Sequence, residues 1–197
     1  MATKLIIGIG NPDLPAGRQG RKYAETRHNV GFMFLDLVAK KLGANDFAED
    51  KKLNALVSKT KFDKTPVVLV KPLSYVNKSG EVVGKLARFY KVKPADIIIV
   101  HDDLDIPFGH CKSSFDKNSG GHKGIESVIK ALKTKKFYRI RIGLAVRALA
   151  KARALSDSRR DRFVTGLVLS KFKPSERETL KKVFKDCWTR LEQLLKQ

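Results

Sequence analysis

The densest group of chemically useful side chains lies in residues 97–124, IIIVHDDLDIPFGHCKSSFDKNSGGHKG, where an apolar run meets acids and histidines and then a glycine pair. Histidines and carboxylates at this density are the side chains of proton transfer or of metal ligation. Ile97 to Val100 suit a strand covered on both faces by helices. Such a strand would deliver His101, Asp102, Asp103 and Asp105 to its carboxyl end, the edge at which open α/β sheets bind ligands. A metal-dependent phosphoesterase or nuclease could use His101, Asp102, Asp103, Asp105 and His110 as ligands. The plain alternative is a solvated acidic loop with a turn at Pro107 and Gly109. Further polar residues, Asn11, His28, Asn77 and His122, recur at the ends of other elements.

The elements that would position these groups follow from periodicity. Lys4 to Ile9 reads as a strand that runs into GIGNP, which lacks the third glycine of a dinucleotide-binding turn and carries Pro12 where a helix would start. DLPAGRQGR (13–21) is a loop. The polar lead YAETRHN places His28 just ahead of a helix with Phe32, Leu35, Val38, Ala39 and Leu42 on one face, closed by Gly43. Residues 53–59 and 66–70 predict a hairpin beside the main sheet, turning at Asp63 and Lys64. Pro72 ends its second strand, and Val82, Val83, Leu86 and Tyr90 give helical spacing. Asn77 then falls in a loop or a first helical turn, where it could equally cap the helix. Residues 110–115 predict a strand, 116–121 a turn, 122–132 a helix lined by Ile125, Val128, Ile129 and Leu132, and 138–145 a core strand. RALAKARALSDSRRDR (147–162) reads as a mobile, basic surface arm. A last helix is announced by Pro174 and the capping box Ser175 to Glu178, with Leu180, Val183, Phe184, Cys187, Leu191, Leu194 and Leu195 as its buried stripe. The expected fold class is α/β, one domain over 1–197, with a twisted, mixed and mostly parallel sheet flanked by helices.

Composition narrows the function. The 197 residues hold 41 Lys and Arg against 20 Asp and Glu, a formal charge of +21. That field favours a polyanionic partner, and nucleic acid suits it better than a bilayer because no stretch approaches 18 consecutive apolar residues. Two cysteines, Cys111 and Cys187, are too few for a disulfide scaffold and fit a reducing cytoplasm. The first residues read as a strand and not as a signal peptide. Nothing resembles a GxxxxGK[ST] loop, a GxSxG elbow or a CxxC zinc site, which argues against nucleotide-driven and serine-hydrolase chemistry.

The segments GIGNP, TRHNVGF, KPLSYVNKSG, HDDLDIPFG, GGHKG and FYRIRIGL occur in the order and spacing of bacterial-type peptidyl-tRNA hydrolases, and the resemblance runs from Lys4 to about Leu144. It implies hydrolysis of the ester joining a peptide to the 3′ end of tRNA, by a cytoplasmic monomer that needs no metal or organic cofactor. It also implies His28 as the catalytic base, Asp102 as the carboxylate that orients it, and Asn11 and Asn77 as holders of substrate, attacking water or oxyanion. Tyr23 and Lys123 join the expected substrate contacts, and Lys112, Arg141, Arg159 and Arg160 the expected tRNA contacts. The residue types fit the task. A histidine can activate water near neutral pH, a carboxylate fixes its tautomer, and neutral amides donate to a carbonyl oxygen without perturbing the base. Three departures stand out: Lys123 replaces the asparagine common in GGHNG, and residues 13–21 and 147–162 look like insertions. A non-catalytic RNA-binding module would account for the charge but not for the set of His, Asp and Asn.

Overall fold

The computed structural model describes residues 2–12, 23–152 and 156–197. Seven strands form one sheet: β1 (Lys4–Gly8), β2 (Ala48–Asp50), β3 (Ala55–Phe62), β4 (Thr65–Pro72), β5 (Ile97–Pro107), β6 (Cys111–Phe115) and β7 (Tyr138–Ala145), in the order β2-β3-β4-β1-β5-β7-β6. The helices are α1 (Val30–Lys41), α2 (Ser79–Phe89), α3 (Lys123–Leu132), α4 (Arg147–Ala152), α5 (Asp157–Val168) and α6 (Arg177–Leu195).

The sheet is mixed, with a parallel core. β4, β1, β5 and β7 run parallel, while β3 and β2 on one side and β6 on the other pair antiparallel. The core strands are apolar on both faces because both are covered. Ile6, Val67, Leu69, Ile98, Val100, Ile140 and Ile142 face α1 and α6, which contribute Phe34, Leu35, Val38, Val183, Phe184 and Leu191. Leu5, Ile7, Val68, Val70, Ile97 and Ile99 face α2 and α3 through Val83, Leu86, Ile125 and Val128. Each buried Leu or Ile removes enough apolar surface to contribute about 1.5–3 kcal/mol. The result is a three-layer α/β/α sandwich whose parallel strands all end at one edge.

Glycine lets α1 approach that edge. A Cβ on Gly31 would stand 2.6 Å from the Val100 carbonyl oxygen and 2.7 Å from that of Ile9, so the start of α1 sits directly on the ends of β1 and β5.

Several expectations need correction. The basic segment 147–162 is not an irregular arm where it is described, since it forms α4 and the first half of α5. Its Ala, Leu and Arg residues are good helix formers, and Leu149, Ala152 and Val168 give the pair of helices a buried side that the charge pattern hides. The inner face of α1 is Val30, Gly31, Phe34, Leu35 and Val38, with Ala39 and Leu42 half-buried against the same core, so of the expected residues Phe32 lies off it. The hairpin of β3 and β4 belongs to the main sheet, and β2 extends it. The cap before α6 lies two residues earlier than Ser175: the Lys173 N–H donates to the Glu176 carboxylate at 2.7 Å. The loop expected at 13–21 lies outside the described residues.

Candidate active site

Three separate stretches meet at the carboxyl edge of the sheet. β1 ends at Gly8, and the Ile9 N–H makes a last bond to the Val100 carbonyl of β5. From there the chain reaches Asn11, which is clamped to the 3-10 turn Arg27–Asn29 that precedes α1. The Asn11 N–H donates to Asn29 Oδ1 at 2.8 Å, and Asn29 Nδ2 returns a bond to the Asn11 carbonyl at 2.9 Å. Asn11 Oδ1 accepts from the Val76 N–H at 3.1 Å, which leaves its Nδ2–H2 group as the donor available to the cleft it lines.

The same turn is anchored from behind. Arg27, 4% exposed, donates through Nη2 to both carboxylate oxygens of Glu176 at 2.8 and 2.6 Å and lies 4.8 Å from the Phe172 ring centre. This arrangement fixes the backbone that carries His28.

His28 Nδ1 lies 2.9 Å from Asp102 Oδ1, and His122 Nε2 lies 3.0 Å from the same oxygen. The hydrogen-bond network assigns the protons. His122 Nδ1 accepts from the N–H groups of Gly124 and Ile125, as the N-cap of α3, so its proton must be on Nε2, facing Asp102. Asp102 can only accept, so His28 donates from Nδ1 and keeps its Nε2 lone pair free. Burial disfavours a charged His28, but the Asp102 charge and hydrogen bond outweigh it and raise the His28 pKa above its ordinary value. Burial would push the Asp102 carboxyl up, yet the two histidines hold it far below the usual carboxylate range.

The cleft above this cluster has a volume of about 510 Å³. Asn11, His28, Asn77, Asp102, His122 and Lys123 all line it. Asn77 is exposed in the turn Val76–Lys78 and does not cap α2. One wall is α5, through Asp161, Val164, Thr165 and Val168, with Tyr75 and Leu169 exposed at the margin.

Other expected site residues lie elsewhere. Tyr23 does not line the cleft; its carbonyl accepts from the Thr26 N–H and hydroxyl. Lys112 is exposed on β6, the outermost strand. Arg141 is buried on β7 and donates through Nε to Asp103 Oδ2 at 2.8 Å. Arg159 is exposed on α5, and Arg160 pairs with Asp157 at 3.0 Å. The five-residue metal set does not converge. His101 Nδ1 is bonded to the Asp102 carbonyl, Asp103 to Arg141 and the Asp105 N–H, and His110 is exposed. His28, Asp102 and His122 do cluster as metal ligands could. The His122 nitrogen facing Asp102, however, carries a proton where a ligand needs a lone pair.

Sequence reasoning singled out His122 without giving it a role, and it missed Asn29 and the wall from α5. Histidine is not among the usual N-cap residues, so GGHKG gives little local sign that its ring stops the helix and holds Asp102 at once.

Comparison with known proteins agrees with this geometry. The peptidyl-tRNA hydrolase family model matches residues 5–197. The chain is 39% identical over 193 residues to a peptidyl-tRNA hydrolase of Mycobacterium bovis, covering 98% of this chain and 91% of that one. It is 47% identical over 140 residues to that of Mycobacterium ulcerans, covering 71% and 69%. Among solved structures, the peptidyl-tRNA hydrolase from Acinetobacter baumannii superposes with a TM-score of 0.83 at 29% identity, covering 98% of this chain and 89% of that one. A peptidyl-tRNA hydrolase in complex with n-propanol gives the same TM-score at 30% identity and the same coverage. On this evidence the chain belongs to the peptidyl-tRNA hydrolase family.

Proposed function

We propose that the protein hydrolyses the ester bond between a peptide, or an N-blocked aminoacyl group, and the 3′ end of tRNA, with His28 as general base toward water. The observation that carries this reading is the 2.9 Å bond from His28 Nδ1 to Asp102, which leaves Nε2 basic at a cleft lined by neutral amides. Nε2 takes a proton from water as its oxygen attacks the ester carbonyl, and Asp102 stabilises the imidazolium as it forms. The Asn11 amide, oriented by Val76, is a donor for the developing oxyanion, a role worth roughly 3 kcal/mol in other hydrolytic sites. Asn77, next in the chain to the Val76 that holds Asn11, offers a second amide to the same cleft. The proton on His28 then passes to the departing ribose hydroxyl, and the base is restored.

Lys123, exposed at the start of α3 and lining the cleft, serves substrate capture as a donor to a carbonyl or phosphate oxygen. The charge of +21 holds the tRNA backbone, with Lys112, Arg159 and Arg160 as contacts. Arg141 acts through its pair with Asp103, and Tyr23 through the turn ahead of His28. The reading takes the protein as a cytoplasmic monomer that requires no metal. No helix among the described residues is long and apolar enough to cross a membrane.

The test is turnover of an N-blocked aminoacyl-tRNA beside its unblocked counterpart, in the presence of a strong chelator. The blocked ester should be cleaved preferentially, and His28→Ala should lower turnover by orders of magnitude with tRNA binding retained. Turnover close to the parent's in His28→Ala would remove the assignment, and loss of activity on chelation would favour a metal site.

A further inference from the structure

A third imidazole stands beside this cluster, and the hydrolytic step described above makes no use of it. His101 is fully buried on β5, with its Nδ1 2.7 Å from the backbone carbonyl of Asp102. Its Nε2 is buried with no hydrogen-bond partner among the described residues. Its ring meets that of His122 edge to face, 4.9 Å between centres and 76° between planes.

The sheet explains what His101 does there. On the β1 side of β5, the Val100 carbonyl is satisfied by the Ile9 N–H, and the ladder between β1 and β5 ends at Gly8 and Val100. The Asp102 carbonyl, two residues further on, has the same sense in the strand but has run past the partner that served Val100. An orphaned buried carbonyl would leave the backbone under Asp102 unsupported. The His101 N–H takes the place of the missing strand donor.

We propose that His101 is a positioning residue for Asp102, capping its carbonyl so that the carboxylate stays aligned with His28. The inference rests on the reading of His28 and Asp102 as the hydrolytic pair.

The bond to a carbonyl requires the proton on Nδ1, which the neutral imidazole supplies in its Nδ1–H tautomer. Its surroundings keep it neutral. Burial is the largest influence, the neighbouring His122 and the Arg139 guanidinium add to it, and together they overcome Asp102, which favours protonation. The other charged groups of this region are Asp103 and Arg141, which are paired with each other. Of the three imidazoles around Asp102, His28 is the one that lines the cleft with a ring nitrogen not committed to a hydrogen bond.

The test compares His101→Leu, which fills the space without a donor, with His101→Asn, whose amide N–H can reach the same carbonyl. Loss of the cap should lower kcat by roughly tenfold to a hundredfold with little change in KM, because the reacting geometry is disturbed and the cleft is not. The acid limb of kcat/KM should move to lower pH by about half a unit or more, since a less aligned Asp102 raises the His28 pKa less. His101→Asn should recover most of the rate and of the pH profile. If His101→Leu does not fold, His101→Asn alone decides, because a slow, well-folded Asn variant with a displaced acid limb contradicts the cap. Parent-like kcat and acid limb in a folded His101→Leu would overturn the inference even with His28→Ala inactive. An active His28→Ala would instead remove the underlying reading.

Discussion

Replacing Asp102 by Asn offers a sharp test of the proton assignment. In a free His–Asp pair the amide can rotate its NH2 group toward the imidazole, force the wrong tautomer and cost about four orders of magnitude in kcat. Here that rotation is opposed. His122 has its Nδ1 committed to the Gly124 and Ile125 N–H groups, and its Nε2–H points at the oxygen that also accepts from His28. An Asn at position 102 is therefore held with its carbonyl oxygen toward both rings, and His28 keeps the productive tautomer. What is lost is the charge. Exchanging a charge-assisted hydrogen bond for a neutral one costs about 1.5–2 kcal/mol as the imidazolium forms, roughly a ten- to thirtyfold fall in kcat. The acid limb should also shift to lower pH, because the raised pKa of His28 depends on the Asp102 charge. Single-turnover cleavage of N-blocked aminoacyl-tRNA across pH 5–8 measures both. A fall of four orders of magnitude would refute the clamp by His122, and a rate equal to the parent's would refute the role of Asp102.

Lys123→Ala should raise KM several-fold with a smaller effect on kcat, while Lys123→Asn retains most activity; steady-state kinetics on the two variants checks this. Affinity for tRNA should fall about tenfold or more between roughly 50 and 200 mM salt, and a flat response in a binding titration would contradict phosphate-dominated recognition. Glu176→Ala should destabilise the fold by about 2–3 kcal/mol in a denaturant titration, because Arg27 is left buried without its carboxylate. The pH dependence of this pair has a defined sign. Arg27 and the Lys173 N–H hold the Glu176 pKa below 4.5 despite partial burial, so the contribution is present above 4.5 and is lost as pH falls through the lower folded value.

The sheet was legible because strands buried on both faces must be apolar throughout, as Leu5 to Ile7 and Ile97 to Val100 are. Periodicity found α3 and α6 for a similar reason, since one face of each is buried and the other is not. On α1 it misplaced Phe32 while placing Leu35, Val38, Ala39 and Leu42 against the core. Phe32 is apolar, but it turns toward Lys71, whose Nζ lies 5.8 Å from its ring centre. Helices α4 and α5 were hidden because their burial rests on a few residues such as Leu149 and Val168 among many charges. At the site, local sequence placed Asp102 on a strand end and His28 ahead of a helix. Their 2.9 Å contact is a property of three-dimensional packing, as is the use of His122 to fix the second lone pair. Arg141 illustrates the opposite case, a surface-type residue drawn inward by Asp103 from 38 positions away.

The anchoring of Arg27 also orders events during synthesis. The turn bearing His28 is made early, but its neighbours are late: Arg27 N–H donates to the Ser170 carbonyl, Thr26 bridges to Lys171, and the guanidinium waits for Glu176. The backbone partners come only with residues 170 and 171 and the carboxylate only with residue 176, long after β1, β5 and α1 have been made. The anchors of the turn that bears the base thus come from chain made after the parallel strands, in the segment that leads into the last helix.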